Sequence, residues 1–117
     1  NRKKWNSDEL FALLRTDCVH STILNELLRR ISVRNFEPCF HPKSAQSLIN
    51  TGESLLAFSR GKNNTLVVVA NLSLKLVTLR SIIDGIPVKG RKDLISGTLL
   101  KDDTLLLKPY QVVWLKK

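Results

Sequence analysis

Residues 91–117, RKDLISGTLLKDDTLLLKPYQVVWLKK, decide how this chain folds. Short apolar runs at 93–95, 98–100, 104–107 and 111–115 are separated by turn residues at Ser96 and Gly97, Asp102 and Asp103, and Lys108 and Pro109. Strands of three to five residues spaced this tightly predict a meander or Greek key closing an antiparallel sandwich. The stretch has none of the residue groupings that chemistry needs, so the chain is expected to support a reaction carried out elsewhere.

Upstream, the same period runs back to Ser44. Strands are expected over 45–49, 55–60, 65–72 and 75–80, punctuated by Gly52, by Gly61 to Asn64, and by Ser73. Val67, Val68, Val69 and Ala70 are apolar on both faces, which places their strand in the middle of a sheet. Gly85 to Gly90 marks a longer loop.

Before Pro38 and Pro42 the period becomes helical. Ser7, followed by Asp8 and Glu9, predicts an N-cap with acidic first-turn residues for a short helix carrying Leu10, Phe11, Leu13 and Leu14. Thr16 to Cys18 breaks it. Ser21 is the expected cap of a second helix, whose apolar face is Ile23, Leu24, Leu27, Leu28 and Ile31. The fold class that follows is mainly β: two N-terminal helices, then an antiparallel β-sandwich or Greek-key domain of about eight short strands. The division is expected between a helical segment, 1–42, and an all-β segment, 43–117.

With 117 residues there is room for one core. No run approaches the roughly 20 apolar residues that span a bilayer, and no secretory signal opens the chain. Asn1 stands where an initiator would, and Met is absent throughout, so the chain reads as a piece or a processed product. Cys18 and Cys39 have no C-x-x-C spacing and are expected to be free thiols in a reducing, cytoplasmic setting. His20 and His41 do not complete a ligand set with them, so no metal and no cofactor is expected.

The net charge is +9. Residues 1–42 carry seven Lys/Arg against five Asp/Glu, whereas residues 43–117 carry twelve against five, so the excess lies in the β segment. Apart from the short basic runs Arg91-Lys92 and Lys116-Lys117 it is dispersed singly, as on solvated strand faces, and does not interleave with exposed aromatics as a nucleic-acid surface does. A nucleic-acid partner is therefore not the expected one.

Candidate reactive groups all have plainer readings. Asp102 and Asp103 are turn neighbours pointing apart. Asp93 opens a strand before a Ser-Gly turn, where a carboxylate accepts backbone N–H bonds. His41 lacks a nucleophile and an orienting partner, and is expected to pack where helix meets sandwich. Ser96 lacks the nucleophile-elbow context. The sequons at Asn63 and Asn71 read as turn and strand-end residues. Phe58 and Trp114 are expected in the core. No catalytic residue is nominated.

Several stretches taken together resemble sucrose phosphorylases and their relatives in glycoside hydrolase family 13, the α-amylase family. They are Pro38-Cys39-Phe40-His41-Pro42, Ala57-Phe58-Ser59-Arg60, Asn71-Leu72-Ser73, Asp93-Leu94-Ile95-Ser96-Gly97 and Pro109-Tyr110-Gln111-Val112-Val113-Trp114. The pattern departs from the family at Glu37 and Cys39. The resemblance covers nearly the whole chain but only the C-terminal part of such an enzyme. It implies that residues 1–42 are the end of a (β/α)8 catalytic barrel and 43–117 an all-β accessory domain. The implied parent is a retaining glucosyl-transferring enzyme using phosphate as acceptor, whose carboxylate pair about 5–5.5 Å apart sits on barrel strands that this chain lacks.

The partner implied is the catalytic barrel of the same polypeptide, with Leu24, Leu27, Leu28 and Ile31 docking the sandwich onto it. Burying four such side chains at about 1.5–3 kcal/mol each amounts to on the order of 6–12 kcal/mol before entropy, so the isolated chain is expected to self-associate. Arg2 is the one residue with an implied substrate role, near a sugar subsite of the intact parent. The alternative is a stand-alone basic module that binds polyanions or glycans.

Overall fold

The computed structural model describes residues 3–80 and 85–117. They form two compact units, Asn1–Phe36 and Glu37–Lys117.

In the first unit, α1 is Ser7–Leu14 and α2 is Val19–Phe36. The N-cap of α1 is Asn6, one residue earlier than expected. Its backbone is extended, and its side chain accepts from the N–H groups of Asp8 and Glu9, leaving Ser7 as the first helical residue. Ser21 likewise lies inside α2 and works from there: its hydroxyl donates to Thr16 O at 2.6 Å and accepts from Cys18 N at 3.1 Å, tightening the turn between the helices. The helix stops at Phe36 because Pro38 disfavours helical geometry at the residue before it. Among the described residues no helix is long and apolar enough to cross a membrane.

The second unit opens with a 3-10 turn, Pro38–Phe40, capped by the Glu37 carboxylate. Among the described residues seven strands follow: β1 Gln46–Ile49, β2 Leu55–Arg60, β3 Leu66–Asn71, β4 Val77–Arg80, β5 Lys92–Asp93, β6 Thr104–Leu107 and β7 Val112–Lys116. They make a five-stranded antiparallel sheet ordered β1-β2-β3-β7-β5 and a two-stranded sheet pairing β4 with β6. As its doubly apolar sequence predicts, β3 is central and buried along its whole length.

The end of the chain is not a meander. β6 leaves the first sheet to pair with β4, and β5 and β7 become neighbours across it. Burial alternates along β6, with Leu105 and Leu107 inward and Thr104 and Leu106 outward, so a strand on the second layer covers the first. The strand expected over 98–100 reduces to a single bridge, Lys92 to Leu99. The strand expected over 93–95 stops at Asp93, because the chain turns there around the Asp93 carboxylate and Gly97 takes φ +77°.

The core lies between the layers: Ile49, Leu55, Ala57, Val67, Val69, Val88, Leu105, Leu107, Val113 and Leu115. Phe58 and Trp114 are not among them. Strand side chains alternate between faces, so with Ala57, Val69 and Val113 inward, the row Leu48–Phe58–Val68–Trp114 crosses the outer face of the large sheet. Phe58 and Trp114 are half-buried there, and Phe40 packs on Trp114 edge-on, with ring centroids 4.8 Å apart.

Candidate functional site

The polar groups of the β unit gather at three places, each made by the local fold. The first is the entry turn. Arg60, at the end of β2, donates from Nε to Cys39 O at 2.9 Å and from Nη2 to His41 O at 2.7 Å. It thereby straps residues 39–41 across the outer face. Lys116 of β7 donates to Glu37 Oε1 at 2.5 Å. Burial opposes ionisation of Glu37, but the Lys116 ammonium and the Cys39 N–H outweigh it and hold the carboxyl below its ordinary range. Burial likewise opposes the charge on Lys116, and Glu37 more than restores it, holding the ammonium above its ordinary range.

The second place is Asn71, which is buried. Its amide donates to Lys75 O at 2.7 Å and Lys108 O at 2.9 Å, and its oxygen accepts from Ser73 N and the Ser73 hydroxyl. The third is the β5 corner. The Asp93 carboxylate accepts from Ile95 N, Ser96 N, the Ser96 hydroxyl and Trp114 N, the backbone role its sequence position suggests. Beside it in sequence, Arg91 is only 2% exposed and donates to the carbonyls of Pro87, Asn64 and Leu115. Its Nη2 has no partner among the described residues, and burial pulls its pKa below the ordinary range.

A cavity of about 260 Å³ opens at this corner, with Asp93, Ser96, Thr98 and Gln111 set among Leu100, Leu105, Leu106, Val113 and Leu115. Several of its polar groups are already engaged: Ser96 with Asp93, and Gln111 Oε1 with Lys108 N. The cavity is therefore poorly equipped to orient a ligand, which needs a few convergent free polar groups.

The remaining carboxylates with described bonds are tied locally. Glu26 bridges Arg29 and Arg30 on α2. Asp102 accepts from Thr104 N, and Asp103 accepts from Lys89 N. His41 is exposed, contrary to the packing expected of it; its Nδ1 accepts from Lys43 N at 3.2 Å. Among the described residues, no three His, Cys, Asp or Glu side chains converge as a metal site would require.

Of the residues singled out in the sequence, Arg2 lies outside the described residues. On α2, Leu27, Leu28 and Ile31 are exposed, as are Val19 and Ile23, while Leu24 is half-buried. The Glu37–Lys116 pair and the burial of Arg91 were not anticipated. Alternation along β7 carries the first of these: Val113 and Leu115 point inward, which puts Lys116 beside Trp114 on the outer face. Arg91 sits in what reads as an ordinary basic run, and no sequence signal marks it.

The chain is thus a helical lead-in followed by a two-layer antiparallel β domain, the fold class expected from the sequence. Comparison with known proteins finds the likeness already read in the sequence. No family model matches the chain. Over 119 aligned residues it is 29% identical to the glucosylglycerate phosphorylase of Escherichia coli (strain K12), covering 99% of this chain and 20% of that enzyme. Two structures of MutB variants, one in complex with glucose and one with the substrate sucrose, match 75% of this chain and 16% of theirs, with TM-scores of 0.61 and 21% identity. At that identity the likeness to MutB is one of fold. The chain thus spans about a fifth of the length of the phosphorylase it resembles.

Proposed function

We propose that this chain is the non-catalytic C-terminal region of an α-amylase-family glycoside phosphorylase, acting in the cytoplasm to buttress a catalytic barrel in the same polypeptide. The observation that carries this reading is the alignment of 99% of the chain with only 20% of a phosphorylase. In such a parent, retaining α-glucosyl transfer from a sucrose-like donor to phosphate is the work of the barrel. The polar groups described here serve to hold the β domain together. The exposed α2 leucines and Ile31 are the surface that docks.

The test is a chimera. Deleting the matching fifth from the Escherichia coli glucosylglycerate phosphorylase is expected to abolish soluble, active enzyme, and replacing it with this chain is expected to restore phosphorolysis. A chimera no better than the deletion overturns the reading. So does turnover of any glucoside by the purified chain alone.

A further inference from the structure

Cys39, Lys116 and Glu37 meet on the outer face of the five-stranded sheet. Lys116 Nζ, donating to Glu37 Oε1, lies 3.6 Å from Cys39 Sγ. Glu37 Oε1 also accepts from Cys39 N at 3.0 Å, so one carboxylate fixes both the amine and the cysteine backbone. The sulfur is walled in on another side: a Cβ placed on Gly61 would sit 2.9 Å from it. Yet the group is not sealed. Cys39 is 8% exposed, and the Lys116 and Glu37 side chains are 27% and 11% exposed. Some exposure is thus left at each of the three residues, while the Gly61 backbone leaves little room beside the sulfur.

We propose that Cys39 and Lys116 form a modification site, at which a single oxygen atom bridges Sγ and Nζ as a sulfur–oxygen–nitrogen cross-link made by peroxide and undone by thiol reductants. The first equivalent of hydrogen peroxide converts the thiol to a sulfenic acid and releases one water. The partly exposed Lys116 ammonium yields its third proton to solvent at alkaline pH, Glu37 remaining ionised, and the nitrogen then has its lone pair. A second peroxide then oxidises the sulfenic acid and the amine together: the N–O bond forms, the O–H and one N–H are lost, and the peroxide leaves as two waters. In the reverse direction, two dithiols become two disulfides, returning thiol, amine and one water. The bridge pins the entry turn, Pro38–Phe40, to β7.

Burial, and then the neighbouring Glu37 carboxylate, raise the Cys39 pKa, so the thiolate is scarce and the first step is slow. Cys18 consumes oxidant sooner, and the experiment is therefore done in a Cys18→Ser chain. After peroxide treatment, intact mass is expected to show the gain of one oxygen with the loss of two hydrogens. Proteolysis is expected to give joined peptides containing Cys39 and Lys116, which dithiothreitol separates. Lys116→Arg keeps the cation beside Glu37 and is expected to abolish the joined species. Whole oxygens added to Cys39 without joined peptides, or no reaction at Cys39 at all, overturn the proposal. A joined species that persists in Lys116→Arg does so too.

Discussion

Cys18 and Cys39 carry the same thiol in opposite settings. At Cys18 the backbone N–H of Ser21 and the Thr16 hydroxyl stabilise the thiolate and lower the pKa from 9.0 to about 6. At Cys39, burial does the reverse. Alkylation by iodoacetamide, followed by peptide mass spectrometry, is expected to rise through pH 6 at Cys18 and level off by pH 8. Cys39 should stay slow until well into the alkaline range. The linkage has a definite sign: a thiol whose pKa is lowered by folding stabilises the fold above its unfolded pKa, and that contribution fades as pH falls through about 6. Gly61 is a second residue with a single demand on it. Its φ of +78° suits glycine, and the Cys39 sulfur occupies the space where a Cβ would go. Gly61→Ala is expected to lose about 1–3 kcal/mol in urea unfolding, from backbone strain plus overpacking.

Among the elements, β5 shows why sequence pattern reads strand interiors better than strand ends. Residues 93–95 have the composition of a strand, but a strand needs free backbone N–H groups, and Asp93 takes those of Ile95 and Ser96 for itself. The competition between side chain and ladder is local chemistry that hydrophobic alternation does not register. By contrast β2, β3 and β6 were legible nearly to the residue, because each has an apolar pattern fixed by a buried face or faces. Pairing was not legible: nothing in residues 104–107 says that they join 77–80 rather than their sequence neighbours. Asp93→Ala would leave Ser96 N and Trp114 N without this acceptor. We expect a loss of about 3 kcal/mol in thermal or urea unfolding, from unmet N–H groups next to the core. Asp93→Asn, which keeps an acceptor oxygen, should lose less.

For the molecule as a whole, the apolar surface is unevenly distributed. The β unit closes a core of ten buried side chains between its layers, whereas Val19, Ile23, Leu27 and Ile31 recur every four residues on α2 and remain in water. The sequence pointed to this stripe, because i, i+4 spacing reads directly as one helix side. The spacing does not say what would cover the stripe; the likeness to a longer enzyme is what suggests a partner. If the stripe is a docking surface, the isolated chain should self-associate, and Leu27→Asp with Ile31→Asp should shift light scattering toward monomer without lowering the melting temperature of the β unit. Association unchanged by those charges would remove α2 from the interface.

The burial of Asn71 has a practical corollary. Its side-chain nitrogen, the atom to which an N-glycan would attach, is already committed to the carbonyls of Lys75 and Lys108, although Asn71, Leu72 and Ser73 spell an acceptor site. In a yeast or mammalian secretory host the oligosaccharide would have to be added before β3 finds its neighbours. Every molecule so tagged would then carry a wedge in its interior. Bacterial or cytosolic production avoids that hazard, and secreted material should divide into a folded pool without sugar at Asn71 and a pool glycosylated there that the quality-control machinery retains.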